Sequence, residues 1–257
     1  MTGLSHAGHQ DRVHPLKGGR HVDHESVTLS AEGPVGDRAF CLLDPAVDRC
    51  LRTVEHPTLL ATRALWDGTV LRAELPGRTV VGEPVATGDV REVDYWGRTA
   101  TVELVHGPWA AAYSAHLGRE VVLGRAAPGQ VVFGASVTIV TDGSLARLAR
   151  EVGAPVDGAR LRATFQLDDA GARPFAEDEW VGRRLRLGAA EVEVTGLVGR
   201  CAVIDLDPAS GVRDLPVLKA LAALRAETGG VDLGLYAEVV APALVRTGDP
   251  ASVAPLG

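Results

Sequence analysis

Lysine is almost absent from this chain. Only Lys17 and Lys219 occur among 26 basic residues, and the rest are arginine. Chemistry specific to lysine therefore has two candidates, while paired recognition of phosphate or carboxylate has many. Histidine is missing after His116. A Cys–His pair built on Cys201 would need its imidazole from the first half. The three cysteines, Cys41, Cys50 and Cys201, are odd in number, and their spacing matches neither a disulfide framework nor a zinc pattern. No apolar run reaches membrane-spanning length without charge, glycine or proline. The start Met1-Thr2-Gly3-Leu4-Ser5-His6 has no basic segment followed by an apolar one. The expectation is a cytoplasmic protein with free thiols that meets no membrane directly.

Other absences narrow the chemistry. A formal charge of −7 argues against general nucleic-acid binding, though it leaves room for a local cationic pocket holding a small anion. Gly33-Pro34-Val35-Gly36-Asp37 has no dinucleotide fingerprint. Lys17-Gly18-Gly19 lacks the upstream glycine and the following hydroxyl of a phosphate loop. No serine sits in a nucleophile elbow. Five histidines, His6, His9, His14, His21 and His24, crowd the start at intervals that follow no metal-ligand rule, so residues 1–20 read as a loose polar terminus.

What is present is mostly strand. Ser26–Ser30, Thr69–Leu75 and Thr99–Val105 alternate with period two, and Gly36–Leu43 reads as a turn feeding a strand. The first half reads as an antiparallel β barrel or sandwich. The pattern predicts a helix over Trp109–Leu117 closed by Gly118, and strands at Val121–Gly124 and Val137–Val140. Asp142 or Ser144 is placed to cap a helix bearing Leu145, Leu148, Ala149 and Val152 on one face. Strands are expected at Leu161–Leu167, Arg184–Leu187, Glu191–Val194, Cys201–Leu206 and Leu235–Val239, and a helix over Val217–Thr228 behind Pro216. The fold class is mainly β with a few helices.

Gly199-Arg200-Cys201 ends an apolar run and is followed by Asp205, Asp207-Pro208 and Gly211. A thiolate there suits a nucleophile, a redox group or a soft-metal ligand, and an inert buried cysteine is the plain alternative. Cations from the first half (His14, Lys17, Arg38, Arg52, His56) and the second (Arg160, Arg162, Arg200) have an interdomain cleft as their natural meeting place. Cys41 reads as core and Cys50 as more exposed. Glu177, Asp178 and Glu179 form an acidic trio, for which structural and metal-binding roles both stay open.

These elements, taken in order, resemble one family. They are His14-Pro15-Leu16-Lys17, Gly33 to Phe40, His56-Pro57, Arg160-Leu161-Arg162, Phe175 to Trp180 with Gly182 and Leu187-Gly188, Arg200-Cys201, Asp207 to Gly211, Pro216, Leu221, Arg225, Gly234 and Gly248-Asp249. The chain is similar to MOSC-domain proteins with an extra N-terminal β-barrel domain, the group of the mitochondrial amidoxime-reducing component and its bacterial relatives. The flexible start over 1–20 leads into the first strand, and the resemblance implies an N-terminal β-barrel domain over 12–115 and a C-terminal MOSC β-barrel domain over 125–257. It also implies a structural rather than metal-binding role for Asp178 and Trp180. It implies a molybdenum cofactor with Cys201 as the molybdenum ligand and Arg200 beside it, both at the catalytic centre. Lys17, Arg38, Arg52, Arg160, Arg162 and Thr164 would bind the cofactor. The implied activity is reduction of an N-oxidised or S-oxidised small molecule. No iron–sulfur or flavin signature is present, so electrons would come from a separate donor protein. Gly18, Val54, Ala163 and Thr164 depart from the reductase group's residues. They keep open a molybdenum-free alternative, in which Cys201 carries sulfur as a persulfide from a sulfur donor or cleaves a carbon–sulfur bond.

Overall fold

Alternation decides which side of each strand is dry, and the first half shows this at Phe40–Asp44. Cys41 and Leu43 face one core with Val93, Tyr95, Ala100 and Val102. Phe40 and Leu42 face another with Trp109 and Tyr113. The strand is thus buried on both faces. It belongs to a closed barrel in the order Val85–Tyr95, Arg98–His106, Val122–Ala126, Phe40–Asp44, Arg49–Cys50, in a computed structural model that describes residues 4–5, 11–169, 171 and 173–254. A three-stranded sheet, Arg63–Trp66, Leu71–Leu75 and Arg78–Gly82, and helix α1 (Trp109–Leu117) cover its outer face. Gly118 closes α1 in the left-handed conformation, as the sequence predicts.

The second half is built on a seven-stranded sheet. Its order is Leu4–Ser5, Pro250–Val253, Arg184–Leu187, Ala190–Gly199, Asp232–Ala241, Val137–Thr141, Phe165–Leu167. Only the last pair is parallel. Helices α2 (Asp142–Val152) and α3 (Val217–Leu224) pack together over a separate apolar cluster. The mainly β class with a few helices is as read from the sequence. No described helix is long and apolar enough to cross a membrane.

The two halves are threaded through one another. Ser26–Ser30 pairs with Leu244–Arg246, and Val13, Val27 and Leu29 are buried in the core of the second sheet. Residues from the first thirty thus complete the second core. Residues 11–20 are folded, which corrects the expected loose terminus over that stretch. His14 is 2% exposed, and Leu16 is equally buried. His6 and His9 lie outside the described residues.

Other local expectations are corrected. The cap of α2 is neither Asp142 nor Ser144: the Thr141 hydroxyl accepts from Ser144 N–H. Ser144 Oγ accepts from Phe175 N–H instead, at 2.7 Å. The strand expected over Leu161–Leu167 shrinks to Phe165–Leu167. Asp157 caps a 3₁₀ turn over Gly158–Leu161, and Arg162 leaves that turn in the left-handed conformation (φ 52°). Cys201–Leu206 is not a strand either. Ala202–Asp205 forms a 3₁₀ turn, whose Asp205 accepts from Leu218 N–H in the first turn of α3 (2.7 Å) and pairs with Arg213, tertiary ties that a continuing strand would not make. The final helix ends at Leu224, four residues earlier than expected. Beyond it Arg225 forms a two-pronged bond to Asp178 (2.5 and 3.1 Å) and lies over the Phe175 ring. Cys50, expected to be exposed, is buried inside the barrel beside Cys41.

The Arg225–Asp178 clamp yields a test of the structural reading of the acidic trio. Arg225 is 7% exposed, so removing its anion strands a buried cation. Asp178→Ala should lower unfolding free energy by about 2–4 kcal/mol in urea titration. A loss below the error of that titration would contradict the structural role.

Candidate active site

The seam between the halves opens into a cleft of about 260 Å³. Lys17, Arg38 and Arg52 line it from the first half, and Arg160, Arg162, Arg200 and Cys201 from the second. No acidic side chain lies on its wall. Each cation arrives by a distinct local device. Lys17 follows the buried Leu16, its N–H donates to Phe40 O (2.7 Å), and its ammonium sits 5.4 Å from the Tyr95 ring centroid. Arg38 takes a left-handed backbone (φ 49°), donates from Nε to His14 Nε2 (3.1 Å), and pairs with Asp37 (2.6 Å). That bond requires neutral His14 with its proton on Nδ1, which faces Asp37 Oδ1 at 3.2 Å. Burial first, then Arg38, Arg162 and Lys17, hold His14 well below its ordinary pKa.

Arg162 carries the seam. Its Nη2 donates to Gly19 O at 2.8 Å, joining residues far apart in sequence. Burial, reinforced by Arg38, brings its pKa down to about 10. The same two causes, burial and then Arg38 with Arg162, bring Lys17 to about 7. Burial and like charge both lower these values, and Asp37 opposes them only in part. Neither Lys17 nor Arg162 has a carboxylate at ion-pair distance among the described residues. Their charge suits an anionic ligand.

Cys201 sits at the start of the 3₁₀ turn with its side chain exposed. Arg200 turns inward from the same corner. Its Nε donates to Leu233 O (2.7 Å) and its Nη1 to Leu161 O (2.5 Å), while Nη2 is buried without a partner. Gly234 makes this possible. Its φ is +82°, and a Cβ there would lie 2.9 Å from Arg200 Nη2 and 2.5 Å from Ile139 O.

Two predicted cofactor residues are otherwise engaged. Arg160 lines the cleft, but a two-pronged pair with Asp214 (2.8 and 2.6 Å) takes up its guanidinium. Thr164 is off the cleft wall, exchanging hydrogen bonds with Thr138 (3.1 and 3.2 Å), which is on it. Arg52 stands at the mouth, paired with Asp94 (3.3 Å) and Glu55 (3.5 Å). Sequence reading passed over Trp96, Phe133 and Tyr236, which also line the cleft. A Trp-Gly step between two alternating strands was the available signal for the first.

The residues also suit a metal that brings its own donors. No three His, Cys, Asp or Glu side chains converge among the described residues, so a metal at Cys201 needs non-protein ligands to complete its shell. The buried orphan Nη2 of Arg200 and the unneutralised Lys17 and Arg162 fit an anionic group carrying such ligands.

Fold and cleft define a protein whose β-rich halves frame a cationic seam beside one accessible thiol. A model of the MOSC domain matches residues 113–252, and a model of the MOSC N-terminal beta barrel domain matches residues 11–113. The chain belongs to the MOSC family, which is associated with molybdenum-cofactor binding or sulfur-related functions. Among solved structures, the YuaD protein from Bacillus subtilis aligns over 100% of this chain and 98% of its own, at 14% identity and a TM-score of 0.49. YiiM from Geobacillus stearothermophilus aligns over 47% of this chain and 54% of its own, at 17% identity and a TM-score of 0.35. YiiM from Escherichia coli covers 48% and 55%, at 18% identity and a TM-score of 0.34. No curated relative matches the chain.

The Lys17 environment sets a pH dependence. Between the folded value of about 7 and the ordinary lysine value, the unfolded chain holds a proton that the folded chain lacks. The anion-free protein should therefore gain stability as pH rises through that window. An anion in the cleft favours protonated Lys17. Sulfate should then raise Tm more at about pH 6 than at about pH 9, and Lys17→Met should remove most of that difference in thermal-shift measurements. Equal sulfate shifts at both pH values in the wild type would contradict it.

Proposed function

We propose that this chain is a molybdenum-cofactor-dependent oxidoreductase that reduces an N-oxidised or S-oxidised small molecule with electrons from a separate protein. The observation that carries this reading is the meeting of Lys17, Arg38 and Arg162 with exposed Cys201 in a cleft whose wall bears no carboxylate. Lys17, Arg38 and Arg162 bind the anionic part of the cofactor, and arginine's paired donors suit phosphate oxygens. Arg200 Nη2 offers one more N–H, held in place by the two carbonyls on its other nitrogens. Cys201 Sγ holds the metal. When bound, the group supplies the two-electron redox chemistry of molybdenum at that thiolate. Arg160 and Thr164 shape the wall through Asp214 and Thr138. Reducing an N–O or S–O bond to yield water takes two electrons and two protons. The sequence has no dinucleotide, iron–sulfur or flavin signature, so the reading requires an electron-donor protein.

A sulfur-carrier reading rests on the exposure of Cys201, since a persulfide relay needs only a nucleophilic, accessible thiol. It leaves the cation cluster without a task, and for that reason it ranks second.

The two readings separate on one set of purified proteins. From a host that makes the cofactor, wild type should carry stoichiometric molybdenum. Cys201→Ser should lose it with little change in Tm, and Lys17→Ala and Arg162→Ala should retain less than wild type. Metal-free wild type that gains one sulfur atom on Cys201 from a sulfur donor would move the assignment to the carrier. Full activity in Cys201→Ser would contradict both.

A further inference from the structure

The mouth of the cleft carries an exposed aromatic pair, Trp96 and Phe133. Trp96 and Gly97 form the two-residue turn between Val85–Tyr95 and Arg98–His106, with Tyr95 paired to Arg98. Their φ angles are 56° and 80°, the double left-handed geometry of a tight hairpin turn. Asparagine or aspartate fills the first position with little strain. A bulky side chain there is an outlier. Trp96 is not repaid by burial either, because it remains 43% exposed. A strained and solvent-facing tryptophan points to a ligand rather than to folding.

Its surroundings say where that ligand lies. Phe133, which is 57% exposed, meets Trp96 edge-on with ring centroids 5.9 Å apart. The Arg52 guanidinium lies 4.4 Å from the Trp96 ring centroid. Asp94 ties these parts together, accepting from Arg52 (3.3 Å) and from Gly97 N–H (2.7 Å). Trp96, Phe133 and Arg52 all line the cleft that contains Cys201.

We infer that Trp96 and Phe133 form a specificity-determining wall that selects substrates bearing a flat aromatic ring, uncharged or anionic, over small aliphatic ones. Ring-on-ring contact at the mouth buries two exposed aromatic surfaces, which an aliphatic oxide is too small to cover. The cations of the cleft disfavour a positively charged ring. Aromatic selection deepens the reductase reading. The oxidised nitrogen or sulfur would be borne by the ring or attached to it, and the N–O or S–O bond would point inward toward Cys201. Binding of such a ring does not require turnover, so the two ideas fail separately.

The test uses full-length protein from a cofactor-producing host and two probes, quinoline N-oxide and trimethylamine N-oxide, with Kd from calorimetry and Tm from thermal unfolding. The variants are Trp96→Asn, Trp96→Phe and Phe133→Ala. Quinoline N-oxide should bind wild type more tightly than trimethylamine N-oxide does. Trp96→Asn should weaken the aromatic probe by about tenfold or more, leave the aliphatic one unchanged, and match or raise the wild-type Tm. Trp96→Phe should restore affinity to within about threefold of wild type, and Phe133→Ala should weaken only the aromatic probe. The inference is overturned by absent or unselective binding of the aromatic probe to wild type, by equal loss of both probes, or by a fall in Tm with unchanged aromatic affinity in Trp96→Asn. Aromatic binding that depends on Trp96 in protein free of molybdenum would support the wall and sink the reductase reading. Full molybdenum with no effect of Trp96→Asn would do the reverse.

Discussion

Unneutralised positive charge at the seam is the constraint on which the rest of this structure depends. Lys17, Arg38 and Arg162 come from segments that repel one another when brought together, and the fold holds them there. The bond from Arg162 to Gly19 O bridges the halves at that point. Neutral His14 and the Asp37 carboxylate both hold Arg38, and neither pairs with Lys17 or Arg162. Asp37 pairs with Arg38 and is the buried carboxylate nearest the cluster, so Lys17 and Arg162 keep no ion-pair partner among the described residues. The cleft wall itself carries no carboxylate, in a protein whose overall charge is −7, and that is what supports the proposed anionic ligand.

The threading of the chain explains how that cluster is kept rigid. Val13, Val27 and Leu29 anchor the segments flanking Lys17 in the core of the second sheet. Lys17 itself bonds through its backbone to Phe40 of the barrel strand. The early segment therefore belongs to both bodies, and hinge motion between them would have to break core contacts. The thiol lies on the other wall, where a strand has just ended and Asp205 has turned the chain toward α3. A short turn exposes Cys201 in a way that a continuing strand would not.

Much of this was legible in the sequence, and what was not has physical causes. Ser26–Ser30 and Arg98–His106 alternate, so their period identified them. Leu161–Leu167 alternates equally well, yet Arg162 is left-handed and breaks the strand. Nothing in composition announces that conformation for an arginine. Cys201–Leu206 misleads for a related reason: the tie from Asp205 to Leu218 N–H is tertiary, and it overrides a β-prone run. Lys17, Arg38, Arg162 and Cys201, which the resemblance named, line one cleft. The resemblance could not show that Arg160 is occupied by Asp214 or that Thr164 faces Thr138, because both depend on side-chain directions. Trp96 was overlooked because its interest lies in a backbone angle.

The proposed function puts an anionic molybdenum group in the seam against Cys201. The most direct measurement is X-ray diffraction at the molybdenum absorption edge on crystals of protein from a cofactor-producing host. A single anomalous peak is expected at bonding distance from Cys201 Sγ, with the remaining density of the group running toward Lys17, Arg38 and Arg162. A cleft with no anomalous peak, in protein from a host shown to load other molybdenum enzymes, would contradict it. So would a peak held by any other residue.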